Sequence, residues 1–140
     1  MTNSKAQMSN EAPSSNVKKS YDLEERTARF GEEVIDFVKA MPTDAINTEL
    51  IRQIVRSGTS IGANYMEADG AQSKKDFRHK IALCRKEAKE TKHWLRMIAR
   101  ANPNKKDECR TLWNEAKELT LIFSSVLSSS KKKAVSKESE

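Results

Sequence analysis

The sequence predicts an all-α fold: an up-down-up-down antiparallel four-helix bundle over residues 21–128, with disordered tails at 1–20 and 129–140. Three observations predict it. Four glycines and three prolines in 140 residues leave long stretches without a breaker. The stretch Leu50–Gly70 repeats apolar or small residues at steps of three and four. Two later segments carry apolar seams that alternate steps of four and three, the knobs-into-holes pattern of packed helices.

The first helix is predicted over about 22–40. Leu23, Phe30, Val34, Phe37 and Val38 give it one apolar face, and Met41-Pro42 stops it, because a residue before proline avoids the helical region. Thr43 or Asp44 then caps the central helix. On that helix Ile51, Ile54, Gly58, Ile61 and Tyr65 form one stripe, widened by Val55, Gly62 and Met66. Gln53, Arg56, Ser57, Ser60, Asn64 and Glu67 form a second. Between Gln53 and Met66 the only charge is Arg56, too few for an ordinary solvated face. Gly58, Gly62 and Ala63 suit close approach of another backbone, so the central helix packs on more than one side. Gly70 is assigned the left-handed cap position at its end.

Ser73, with Asp76 three residues on, resembles a capping box at the start of a third helix over 74–101. Its seam is Phe77, Ile81, Cys84, Ala88, Thr91, Leu95 and Ile98. A fourth helix is expected over about 104–127, with the seam Leu112, Ala116, Leu119, Phe123 and Val126, ended by Ser128-Ser129-Ser130. The loops between helices are short, which makes neighbours antiparallel.

Charge is unevenly spread. Of the net +6, residues 1–20 carry +2 and residues 129–140 another +2, leaving +2 for the bundle. The third helix alone has ten Lys or Arg against three acids. Arg78, Arg85, Lys89, Lys92, Arg96 and Arg100 fall within about 80° of one another on it and run along ~33 Å. Such a row can follow a phosphate backbone. The alternative is a solvated face neutralised by the acidic first helix. No aromatic residue interleaves with the row, so stacking on bases finds no support in the spacing. The Lys131-Lys132-Lys133 run reads as a solvated tail.

A second candidate surface combines Arg56, Ser60, Asn64 and Glu67 of the central helix with Leu83, Glu87, Glu90 and Trp94 of the third. It is poor in charge on one side and rich in large apolar groups on the other, and it predicts a homo-oligomer interface. Enzyme chemistry is not expected. Glu87 and Glu90 lie on one face near Lys80 and Lys86, which reads as structural ion pairing rather than acid–base work. Asn64 and Glu67 read as a hydrogen-bond network between helices or subunits. His79 and His93 are fourteen residues apart in no metal-ligand arrangement, and no phosphate-cradling glycine loop occurs, so no cofactor or metal is expected. Cys84 and Cys109 read as reduced, packed thiols. No apolar run reaches the ~20 residues of a membrane span and the first twenty residues are polar, so a cytoplasmic protein is expected.

Three runs carry a resemblance. Arg52–Ala68 (RQIVRSGTSIGANYMEA), Ser73–Ile81 (SKKDFRHKI) and Lys86–Leu95 (KEAKETKHWL) resemble the four-helix-bundle family encoded in bacterial 23S rRNA intervening sequences. That family pairs an Arg-Ser-x-x-Ser-Ile-x-x-Asn-x-x-Glu helix with Ser-x-x-Asp-Phe and Lys-Glu-Ala-x-Glu-Thr-x-x-Trp-Leu. The likeness spans roughly 30–127. Here Gly70 comes later than the family's glycine. The family is in turn similar to the accessory variability determinant of diversity-generating retroelements, a pentameric barrel that binds nucleic acid and a reverse transcriptase. The resemblance therefore implies a ring-forming bundle, pentameric first, with RNA or DNA as a possible ligand and a protein such as a reverse transcriptase as a possible partner. Two functional readings stand open: a nucleic-acid binder, or a structural oligomeric adaptor for a protein.

Overall fold

Three short breaks cut the chain into four antiparallel helices. The structure, a computed structural model, describes residues 16–139, with side chains from 23 to 130. The helices are α1 (Asn16–Lys39), α2 (Ala45–Asp69), α3 (Lys74–Ala101) and α4 (Lys106–Ser139). A single 3₁₀ turn, Pro103–Lys105, leads into α4. No strand occurs among the described residues.

The starts of α2 and α3 follow from their caps. Asp44 is extended, and its carboxylate accepts from the Asn47 N–H at 2.7 Å. Ser73 accepts from the Asp76 N–H at 3.1 Å. The end of α2 differs from expectation. Gly70 has φ −94° and ψ 9°, outside the left-handed region. Its N–H donates to the Met66 carbonyl and the Ala71 N–H to that of Ala68, so the last carbonyls are satisfied by a tightened turn without a left-handed residue. The outer bounds differ too. Helical backbone begins at Asn16 and continues to Ser139, past both predicted ends. Residues 104–140 contain no Gly or Pro, and three serines each cost too little helix propensity to stop a helix already formed. Of the tail expected over 1–20, residues 1–15 lie outside the described residues.

α2 packs on α3, α3 on α4 and α1 on α2; α1 meets α4 sparsely and lies diagonally across the bundle from α3. Phe30 and Val34 of α1, Ile54 and Ile61 of α2, Ile81 and Leu95 of α3, and Leu119 and Phe123 of α4 are at most 1% exposed. Of the two later seams only Phe77 and Val126 are half-buried. Two residues of the central helix depart from their predicted stripes. Met66 is 64% exposed, because it sits at the edge of the apolar arc beyond Gly62. Ser57 is fully buried, its hydroxyl 2.9 Å from that of Thr91 on α3. Each hydroxyl thereby gives the other a polar partner inside the core.

The α1–α2 contact uses the small residues. An added Cβ at Gly58 would lie 3.1 Å from a Val34 methyl, and one at Gly62 would lie 3.4 Å from the Thr27 backbone. Val34 is fully buried and β-branched, so it has little freedom to yield. Gly58→Ala is therefore expected to forfeit the ~1 kcal/mol of helix propensity that alanine normally adds. Crowding at such sites costs about 1–3 kcal/mol, so chemical denaturation should read between no change and a loss of about 2 kcal/mol. A full gain of stability would show that α1 gives way.

Between α1 and α4 lies an open groove of about 900 Å³ lined by Glu33, Asp36, Glu108, Glu115 and Glu118 among others. Arg26 spans it with paired bonds of 2.7 and 2.8 Å to Glu115. The acidic face of α1 is thus turned toward α4 and away from α3.

Candidate nucleic-acid interface

The α3 seam fixes where its basic row points. With Cys84, Ala88, Thr91, Leu95 and Ile98 buried, the row falls on the side of α3 that borders α4. Arg78 donates to the Leu127 carbonyl of α4 at 2.7 Å, and the Lys92 ammonium stands 5.1 Å from the centre of the Trp113 ring. Arg78, Arg85 and Lys92 are half-buried; Lys89, Arg96 and Arg100 are exposed. Among the described residues, no member of the row is in an ion pair. Neutralisation by α1 does not occur within the described residues: no ion pair joins α1 to the row, and α1 and α3 are not neighbouring helices.

A second basic row, missed in the sequence, faces the first. Lys106, Arg110, Trp113 and Lys117 follow one another on α4 at steps of four and three. Antiparallel packing brings Trp113 beside Lys92 and Arg110 beside Arg96. Three carboxylates of α4, Glu108, Glu115 and Glu118, occupy a different side, facing the α1 groove. The helix is therefore split by charge. Between the two rows lies a groove of about 370 Å³ with Leu95, Ala99 and Cys109 in its floor and Arg96, Lys106 and Arg110 along its walls. No carboxylate lines it. The α3 row has no aromatic interleaved with it; the fold supplies one from α4. Trp113 is half-buried, and a second ammonium, that of Lys117, stands 5.9 Å from its ring centre. Gathering Arg96, Lys106 and Arg110 on one groove, with Lys92 and Lys117 over its tryptophan, costs self-repulsion, which an anion would relieve.

The eight residues of the other predicted surface form a continuous face across α2 and α3. Arg56 bridges to Glu87 at 3.3 Å and also pairs with Glu90. The Trp94 indole N–H donates to Glu90 at 3.0 Å, and Lys80 reaches Glu67 at 2.6 Å. Ser60 and Asn64 bond to carbonyls of their own helix, so of the pair expected to join helices or subunits it is Glu67, through Lys80, that links two helices within the subunit. The partner of Glu87 and Glu90 is likewise Arg56 on the neighbouring helix rather than Lys80 or Lys86. Leu83 is half-buried on the same face.

Both cysteines are free and buried. Burial pushes the Cys84 thiol up to about 12 and the Cys109 thiol up to about 11, so neither is a thiolate near neutral pH. Among the described residues no three metal-ligating side chains cluster, and no helix is long and apolar enough to cross a membrane.

Known proteins bear on this geometry in three ways. A family model, the 23S rRNA-intervening sequence protein, matches residues 19–125. A solved structure from Bacteroides thetaiotaomicron, a protein of unknown function from the S23 ribosomal protein family, superposes with a TM-score of 0.69. It is 30% identical, and the match covers 79% of this chain and 98% of that one. No curated protein matches this chain.

Proposed function

Because the chain belongs to the 23S rRNA-intervening sequence protein family, we propose that it is a non-enzymatic, homo-oligomeric bundle that binds an RNA or DNA backbone in the groove between α3 and α4. One observation carries the reading: the α3 row is free of carboxylate partners among the described residues, and Arg96 of that row faces Lys106 and Arg110 across a groove without acids, with Lys117 over the Trp113 ring. Two facing rows of cations, rising about 1.5 Å per residue along each helix, fit a polyanion better than a point anion. The oligomer is a ring, a pentamer by family likeness, closed through the Arg56–Trp94 face. A ring requires that this face meet a different patch on the next subunit. Repeated grooves around it add weak contacts into useful avidity.

Titration of labelled mixed RNA and DNA against salt tests the proposal. Affinity is expected to fall steeply with salt, because each neutralised phosphate releases condensed counterion. Changing Arg85, Lys89 and Arg96 together to Gln should weaken binding and flatten the slope by up to about one unit for each phosphate no longer neutralised, with helicity unchanged. Deleting residues 129–140 measures the lysine tail as a rival source. Binding that survives the triple change and disappears with the tail deletion would place it on the tail. No binding by any form at low salt would favour the adaptor reading, with a protein such as a reverse transcriptase as the partner.

A further inference from the structure

Resting on that reading, we infer that the groove takes single-stranded nucleic acid, with one base stacked on Trp113 while Arg96, Lys106 and Arg110 hold the flanking phosphates. Trp113 is the one aromatic side chain lining the groove, and it sits within the α4 row beside Lys92 of the α3 row. Its indole is half-buried, packed at the edge of the core and open toward the groove. The ammoniums of Lys92 and Lys117 lie over the ring at 5.1 and 5.9 Å. Both sit on flexible four-carbon stems. They can swing from ring to phosphate as a base arrives, so the same groove presents an aromatic face and two mobile cations.

The apolar floor of Leu95, Ala99 and Cys109 suits the rest of a base and offers nothing to a second phosphate. At about 370 Å³ the groove is at the small end of ligand-sized clefts, room for one nucleoside unit rather than for stacked pairs. A duplex hides its base faces in its own stack, whereas a single strand can turn one out onto an aromatic ring. Every base has a π-face, so the site tolerates sequence. The charge of the walls selects against an acidic-peptide side chain only weakly; it is the indole that distinguishes a base from other anions.

The test compares a roughly 15-nucleotide oligo(U) with a mixed-sequence RNA duplex on the full chain. Trp113→Leu is expected to weaken oligo(U) binding at least about fivefold, the low end of what one base–aromatic stack contributes. Duplex affinity should stay within about twofold, the salt slope should hold because no cation is removed, and Trp113→Phe should retain most of the affinity. In a Trp94→Phe background, leaving Trp113 as the sole indole, emission should be quenched as oligo(U) saturates. That readout does not depend on the stability of Trp113→Leu. Absence of quenching at saturation overturns the inference. So does an equal loss on duplex and single strand. If Trp113→Leu changes nothing while the Arg85, Lys89 and Arg96 triple change abolishes binding, the groove is a backbone clamp: the inference falls and the proposed function stands. If the triple change also leaves binding intact, both fall.

Discussion

Asn102→Leu is expected to destabilise the bundle by about 3–5 kcal/mol, read as a shift in the denaturant midpoint at unchanged slope. Asn47, at the start of α2, is 1% exposed and Asn102, at the end of α3, is 5% exposed. Their carboxamides bond reciprocally, both N–H···O distances being 2.9 Å. Each also ties down its own surroundings. The Asn47 amide donates to the Pro42 carbonyl at 3.1 Å, and the Asn102 amide donates to the Ile98 carbonyl at 3.0 Å. One pair thus fastens the α1–α2 loop to the break between α3 and α4. Leucine at 102 strands the Asn47 carbonyl oxygen without its donor, removes a bond to the end of α3, and puts a branched apolar group against a buried amide. A stranded buried group costs about 1–3 kcal/mol, and three bonds are lost, two to Asn47 and one to Ile98. Changing both asparagines to leucine should recover part of the loss, since the orphaned amide then goes with its partner. A change for Asn102→Leu within about 0.5 kcal/mol, typical of surface sites, would show that the pair is open to water.

Neither asparagine stands out in the sequence, and the reason is general to what is legible there. Signals carried within one turn of helix read correctly. Ser73 caps α3 at the predicted residue, and the four-three seams of α3 and α4 are the buried ones but for the half-buried Phe77 and Val126. Signals that depend on which helices lie side by side do not. Asn47 and Asn102 are 55 residues apart, and Arg56 and Glu87 are 31 apart. Ser57 reads as part of a polar stripe because its hydroxyl partner, Thr91, is on another helix. The second basic row is present as Lys106, Arg110 and Lys117 at helical spacing, but only the antiparallel register of α3 and α4 turns two separate rows into one groove. The same register decides against neutralisation by α1, which a charge count along the chain leaves open.

Trp94→Glu is expected to reduce the protein from a ring of about 80 kDa, five copies of 15.9 kDa, to single subunits in light scattering at micromolar concentration. The effect on the subunit itself should be small. A carboxylate at 94 sits four residues from Glu90 on one helix, a like-charge spacing worth only a few tenths of a kcal/mol in water. Inside an interface the same change acts differently. Arg56 already serves Glu87 and Glu90, whose side chains are 16% and 29% exposed in the isolated subunit. That network is paired before assembly, so covering it adds little unpaired charge. A third carboxylate around the same guanidinium has no cation to meet, loses the indole that caps Glu90, and removes the largest apolar group on the face. Like charges brought together at a contact cost several kcal/mol, enough to dissociate a ring whose every subunit carries the change. Circular dichroism should stay helical and the thermal midpoint of the subunit should move little, while nucleic-acid affinity falls with every basic residue still in place, because avidity depends on the ring. Lys131→Glu, in the lysine run near the end of the chain, should leave the size unchanged. A parent protein that scatters as a monomer at micromolar concentration sinks the ring; a Trp94→Glu variant that remains a ring moves the interface to another face.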